Sequence, residues 1–343
     1  MTYSPGWTYK SASVTAAQAF EDFRRHRVDL ISSKVTKARQ SRVYLQEQLT
    51  AAKIEDPDFP RITDSFMPFG SFARRTKVRP LDDIDMLVML NGQDAQFVQD
   101  SWDIYTFLVS TTSDSSPLKP YADENGCVNS TRILNHFKSG LKKIPNYQKS
   151  EIKRTGAAVV LKLKSYDWAF DIVPALPAGE GSGSTDYYLI PDGKGNWTKT
   201  DPRRDQELVT EANQNQNGYL LPLIRLIKYW NLKSHVAPRL ASYHLETLLI
   251  NAFRYGYPAI ESKIRWSVPD AFQQLASHVL TSCPDPKGLG PNLDAYMTWE
   301  DKVKICNAAN KHAQYAQNAL HYEQQGCHED AIAWWENVFP NFG

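Results

Sequence analysis

The chain reads as an α+β protein in two lobes, a mixed β-sheet lobe entered through a long N-terminal helix and then a helical lobe. Three observations predict this. Short apolar runs bounded by turn residues recur between positions 62 and 200, as strands do. From Asp205 onward the apolar residues fall at helical spacing. Positions 13–53 carry Phe20, Phe23, Val28, Ile31, Val35, Ala38, Val43 and Leu49 at rough helical spacing, enough for one long helix or two in series. The expected division is 1–210 and 211–343, with the boundary near 205–220.

In chain order, Ser13 or Thr15 is placed to cap the first helix. Two prolines between positions 55 and 61 end the helical run. Positions 62–68 then lead into a turn, Gly70-Ser71-Phe72-Ala73-Arg74-Arg75-Thr76. Gly70 lets the backbone turn tightly and approach a ligand closely. Ser71 adds a hydroxyl, and its amide lies where a short helix could begin, an arrangement that favours phosphate. The run Asp83-Ile84-Asp85-Met86-Leu87-Val88-Met89-Leu90 follows as a buried strand. Positions i and i+2 of a strand share a face, so Asp83 and Asp85 point the same way, about 6–7 Å apart.

Positions 94–110 read as helix and 113–126 as surface loop, and Asn129-Ser130-Thr131 opens a further helix. Strands are expected near 148–154, 157–163 and 168–174, the last two joined by a turn at 164–167. Asp171 then stands as a charge inside an apolar strand, which is costly unless it is paired or binds a metal. Asp167 is the weaker competitor because it falls in the turn. A Gly/Ser-rich loop at 177–185 precedes a strand at 187–193 and a short extended piece at 197–202. Helices follow from Leu221, from Ala241, and over 264–282, 299–325 and 328–338. Arg225, Lys228 and Asn231 share one face of the first of these.

An Asp-x-Asp alone also fits a solvated strand entry. The Gly-Ser turn before it and the third aspartate after it shift the reading to a site. Parallel carboxylates repel unless a cation lies between them, and magnesium with nucleotide phosphates suits that role.

With 343 residues and 42% hydrophobic content, the chain is long enough for two lobes around sizeable cores. A net charge of +1 argues against wrapping by nucleic acid, so any polyanion site is local. Cys127, Cys283, Cys306 and Cys327 form no C-x-x-C pair, so no zinc ribbon or disulfide framework is expected. No run of about 18 apolar residues occurs, and the start lacks a basic-then-apolar signal pattern. A reducing, cytoplasmic setting fits.

The Gly-Ser turn, paired aspartates and third aspartate together resemble the nucleotidyltransferases that share a fold with DNA polymerase β. Further residues sharpen the likeness. Ile190-Pro191-Asp192-Gly193, Trp197, Thr200-Asp201-Pro202, Arg225-x-x-Lys228-x-Trp230 and Ser242-Tyr243-His244-Leu245-Glu246 resemble the bacterial CD-NTases. These relatives of cyclic GMP-AMP synthase serve CBASS anti-phage defence.

The resemblance implies a cyclic oligonucleotide synthase that joins NTPs, ATP and GTP among them, and releases pyrophosphate. Asp83, Asp85 and Asp171 would be catalytic and hold two Mg²⁺ ions, with Mn²⁺ able to substitute. Gly70 and Ser71 would bind the donor triphosphate, Lys228 its β/γ phosphates with the Ser242 hydroxyl, and Tyr243 would stack on the base. Thr76 and Arg225 are further candidates for the phosphate shell. A monomer without stable DNA binding is expected, since the His/Cys zinc insert of the animal enzyme is missing from the sequence. By the same resemblance a ubiquitin-ligase-like partner could act at the terminal Gly343. The alternative readings are a template-independent RNA or tRNA nucleotidyltransferase, and a catalytically inert binding protein.

Overall fold

The computed structural model describes residues 14–179, 185–236 and 238–343. Ser13 and positions 180–184 of the expected Gly/Ser loop lie outside the described residues. Helix α1 (Ala16–Phe23) starts at Thr15, whose hydroxyl accepts the Gln18 amide at 3.2 Å. It passes into a π-helical turn, Arg24–Val28, and a break at 29–31 precedes α2 (Ser32–Glu55). So the N-terminal run is two helices in series. Among the described residues of α2, a narrow stripe made by Ala38, Leu45, Leu49 and Ala52 is buried, and it lies against the sheet lobe. Such a stripe at helical spacing needs no strongly apolar helix.

Strand β1 (Ile62–Phe69) runs into a single helical turn, α3 (Gly70–Ala73), and β2 (Asp83–Leu90) follows. The middle of the sheet is β7 (Ala169–Ala178), flanked by β2 in parallel and by β6 (Ala158–Lys162) antiparallel. Strand β5 (Glu151–Thr155) extends that side through β6. The far end of β7 pairs with β8 (Tyr187–Pro191), then β9 (Trp197–Thr200) continues the order. Helix α4 (Ser130–Lys143), capped by Asn129, covers the sheet with Ile133, Leu134, Phe137 and Leu141.

The helix expected over 94–110 is not formed. Strands β3 (Gln96–Gln99) and β4 (Phe107–Ser110) pair as an antiparallel hairpin there. The reason lies in the connecting turn. Asp100 accepts the amides of Trp102 and Asp103, and Asp103 accepts the Tyr105 amide and the Thr106 hydroxyl. Side-chain acceptors that take backbone N–H groups compete with helix formation. The short apolar run Phe97-Val98 then serves as a strand.

The helical lobe contains α5 (Pro202–Asn215), α6 (Leu220–Lys233), α7 (Ser242–Phe253), α8 (Val268–His278), α9 (Trp299–Gln324) and α10 (His328–Val338). Its core also takes Phe20, Phe23 and Val28 from the N-terminal segment and Val209 and Ala212 from α5. The chain start is therefore built into the second core, although it precedes the sheet lobe in sequence. The chain end closes over it, with Phe342 buried and its ring 5.0 Å from that of Phe23. Among the described residues no helix is long and apolar enough to cross a membrane, and all four cysteines are free thiols.

Candidate active site

Strand register assembles the carboxylates. Asp85 lies directly opposite Asp171 in the parallel β2–β7 pair, and Asp83 stands two residues earlier on β2. On the other edge of β2, Asp85 pairs with Phe69, so Gly70 arrives beside it. Gly70 has φ +72°, and a Cβ built there would lie 1.8 Å from Asp85 Oδ2. Both the backbone conformation and the space demand glycine. The turn is closed by the Arg74 amide on the Gly70 carbonyl and by the Thr76 and Lys77 amides on the Ser71 carbonyl, at 3.1, 3.0 and 3.1 Å.

Burial and like charge set the electrostatics of this wall. The Asp85 carboxyl is pushed up to about 7, first by burial and then by Asp83 and Asp171. Asp171 is raised for the same reasons, burial first and Asp83 next. Lys77 reaches in and pairs with Asp82 and Asp83. Burial opposes its charge, and the two carboxylates more than restore it.

Three carboxylates on neighbouring strands are the oxygen-donor set that a hard divalent cation takes. Their mutual repulsion is the condition such a cation relieves. The donor chemistry therefore fits magnesium, although among the described residues no three acidic, His or Cys side chains already stand as a finished coordination cage.

A second group of charges belongs to the helical lobe. Lys228 on α6 is buried, and its ammonium pairs with Glu246 of α7. Glu246, 1% exposed, also accepts Arg74 Nε at 3.1 Å and the Thr76 hydroxyl at 2.8 Å. Burial opposes the Glu246 charge, but Arg74 and Lys228 outweigh it and hold the carboxyl below its ordinary range. Tyr243, one turn earlier on α7, donates its hydroxyl to Asp205 Oδ1 at 2.5 Å and accepts from Lys287 Nζ at 2.7 Å. The Arg74 guanidinium carbon lies 5.2 Å from the centre of the Tyr243 ring, and Lys287 Nζ lies 4.3 Å from it.

The structure thus gathers Asp83, Asp85, Asp171 and Gly70 on one side, with Lys228 and Tyr243 tied to the same turn through Arg74. Ser71 is half-buried within that turn. Ser242 is the exposed first residue of α7, with Ala241 in the capping position. The Thr76 hydroxyl is fully buried against Glu246. Arg225 turns toward the N-terminal segment, donating from Nε to Asp29 Oδ1 at 2.7 Å and from Nη1 to the Arg75 carbonyl at 2.9 Å. Arg74, Lys77 and Glu246 were not among the expected site residues. Glu246 had one legible signal, an acidic residue inside the apolar stretch of α7, which burial tolerates only with partners.

No family model matches the chain. A probable cyclic nucleotide synthase of Bacillus cereus (strain VD146) is 36% identical over 336 residues, covering 95% of this chain and 96% of that protein. A cyclic AMP-AMP-AMP synthase of Escherichia coli (strain MS 115-1) is 23% identical over 266 residues, 76% of this chain and 70% of its own. Among solved structures, E. coli MS115-1 CdnC with ATP superposes with a TM-score of 0.69 at 18% identity, covering 95% and 98% of the two chains. Vibrio cholerae DncV with the linear intermediate 5′ pppA(3′,5′)pG gives 0.66 at 11% identity, over 95% and 96%. These structural likenesses show the fold, a two-lobed α+β architecture shared over nearly the whole chain.

Proposed function

The chain belongs to the bacterial CD-NTases, the cyclic nucleotide synthases, and we propose that it joins NTPs through the Asp83, Asp85 and Asp171 site into a cyclic di- or trinucleotide with release of pyrophosphate. It is a nucleotidyltransferase. The observation that carries the site reading is the register of Asp85 against Asp171, with the Gly70 turn beside them.

Asp83, Asp85 and Asp171 would hold the divalent cations, magnesium or manganese. Bound there, such ions lower the pKa of a ribose hydroxyl and offset charge on the triphosphate and the departing pyrophosphate. The rest follows from the side chains. The Gly70–Ser71 turn brings backbone close to the triphosphate, and Lys228 supplies positive charge to its outer phosphates. Tyr243 offers an aromatic face to the donor base. Asp171, half-buried and raised in pKa, would accept the acceptor hydroxyl's proton at its carboxylate oxygen. Holding donor and acceptor in this arrangement supplies much of the acceleration expected of such transfers. Ser242, Thr76 and Arg225 stay candidates for the outer phosphate shell, Thr76 and Arg225 acting through the residues they hold.

The signalling setting proposed is cytoplasmic anti-phage defence of the CBASS kind, in a monomer. A protein partner is proposed as well. E. coli CdnC has been solved as a complex with HORMA-deltaN. An enzyme acting at Gly343 here would first have to lift the tail. Phe342 is packed on Phe23, and the Tyr229 hydroxyl holds the Pro340 carbonyl at 2.9 Å, while Gly343 itself is exposed. Intact-mass analysis after co-expression with an active ubiquitin-ligase-like enzyme tests this. An unmodified chain end under those conditions would remove that partner.

The reaction itself is tested by incubating the protein with four NTPs and Mg²⁺, then phosphatase, then mass spectrometry. A phosphatase-resistant cyclic product, lost in Asp83→Asn and on chelation of the metal, is expected. Extension of an added RNA primer instead would establish the RNA-nucleotidyltransferase alternative.

A further inference from the structure

Glu246 joins three parts of the chain at one point. It lies on α7, and it binds Lys228 on α6 together with Arg74 and Thr76 from the segment that closes the Gly70 turn. Arg74 is 172 residues away in sequence, and its side chain reaches Glu246 across the junction of the two lobes. The hydrogen bond described for Arg74 uses Nε, so among the described residues its paired Nη groups carry none, although the Asp205 carboxylate is near enough to favour the guanidinium charge. The guanidinium stands over the Tyr243 ring and close enough to Asp85 to stabilise its charge. That places it between the carboxylate wall and the aromatic face.

We propose that Glu246 is a positioning residue, which holds Arg74 and Lys228 side by side so that both meet the triphosphate of the donor nucleotide. This rests on the reading of Lys228 as a phosphate ligand. A planar fork binds a phosphate through two parallel hydrogen bonds, and an ammonium binds it as a point charge, so the two cations complement each other. At Glu246 two cations share one carboxylate, and Asp205 is the further carboxylate whose charge Arg74 feels, so a triphosphate would displace that weaker attraction rather than the Glu246 bond.

The pairing also governs protonation. Burial pulls the Lys228 ammonium below its ordinary range, and Glu246 opposes that pull. The charged groups facing Lys228 are Glu246 from α7 and, from the segment after α3, Arg74 and Lys77. Without the Glu246 carboxylate, Lys228 faces burial and two cations. Its proton is then lost at lower pH, and the charge that binds phosphate disappears as pH rises.

The test is steady-state pyrophosphate release with ATP at saturating Mg²⁺ between pH 6.5 and 9.5. Glu246→Gln should raise KM about tenfold at neutral pH, the scale of one charged hydrogen bond, with kcat changed far less. Its kcat/KM should fall steeply toward alkaline pH where the parent enzyme stays flat, and Lys228→Arg added to it should flatten the profile again. Glu246→Asp covers the case in which the glutamine variant fails to fold. It keeps the charge, so it should show a raised KM with the parent's pH profile. A parent-like KM and profile in Glu246→Gln would overturn the proposal, as would a pH-independent loss of kcat at unchanged KM, the mark of a purely structural role. Lys228→Met tests the underlying reading separately. An unchanged KM there would show that Lys228 does not bind phosphate, and the positioning role would fall with it. A raised KM there beside a parent-like Glu246→Gln would overturn the positioning role alone.

Discussion

On the strand side of the candidate site, three carboxylates come together with Lys77 and, at Asp85, Arg74 offsetting only part of their charge. On the helical side, one carboxylate is shared by two cations and a hydroxyl. The strand side is unbalanced, and Asp85 shows it by its displaced pKa. On the helical side the carboxylate is the satisfied group: Glu246 holds its charge at 1% exposure, while burial still strains the Lys228 ammonium beside it. The proposed site, for a polyanion carried with metal ions, would need both kinds of wall. One must be left short of positive charge so that cations enter with the ligand. The other must carry cations already oriented, because reorienting them during reaction costs free energy.

The sharpest way to break this contrast is to neutralise one carboxylate of the strand wall. Asp83→Asn or Asp85→Asn should lower turnover roughly 10²–10³-fold or more, since a preorganised electrostatic contact is lost. Stability should not follow. Asp85→Asn removes a repelled, half-buried charge, so the melting temperature should hold or rise, as differential scanning fluorimetry would show. A fully active variant would sink the assignment of this wall.

Gly70→Ala attacks the same wall through shape. The added Cβ would collide with Asp85 Oδ2, and the backbone would be strained at φ +72°. Displacing a catalytic group by about 1 Å costs roughly 10² in rate, and strain of this kind about 1–3 kcal/mol. Rate and chemical denaturation should both register the change, in contrast to Asp85→Asn.

On the helical side, Thr76→Val leaves the Glu246 charge and both cations in place and deletes the hydroxyl's hydrogen bond to Glu246, with its longer 3.4 Å contact to the Ser71 carbonyl. A loss of about 1–2 kcal/mol is expected from urea unfolding, with a KM change under tenfold. A loss of activity as deep as that of the aspartate variants would mean that the two walls do not differ as described.

The smallest effect concerns His244, buried on α7 with its Nε2 unpartnered. Burial pulls its pKa down to about 4. The folded state favours the neutral ring. The stability this brings is present above the unfolded value of about 6.5 and is lost as pH falls toward 4. His244→Phe should flatten the decline in melting temperature over that window. At neutral pH it should cost about 1 kcal/mol for the contact with the Tyr296 hydroxyl.

The elements of the site differ in how far they could be read from the chain. The Gly70 turn, the Asp83–Asp85 spacing and the β7 aspartate are local patterns. Two-residue periodicity and a turn-forming glycine declare them wherever the chain goes. The helix expected over 94–110 shows how a local pattern misleads. Within that span Asp100 and Asp103 capture nearby amides and turn the chain into a hairpin. Arg74 and Glu246 were on the page as letters, but nothing within a few residues of either names its partner.

The chain by itself therefore declared the two-lobed α+β plan, the family likeness and the three acidic positions, because each is assembled from short local patterns that can be read one at a time. Tertiary structure alone decided that α1 joins the second core, that Asp85 stands in register with Asp171, and that a buried carboxylate ties Lys228 to the turn after Gly70. Those outcomes depend on contacts between segments far apart in sequence. They are selected by burial, which tolerates a charge only where a partner from elsewhere in the fold arrives to meet it.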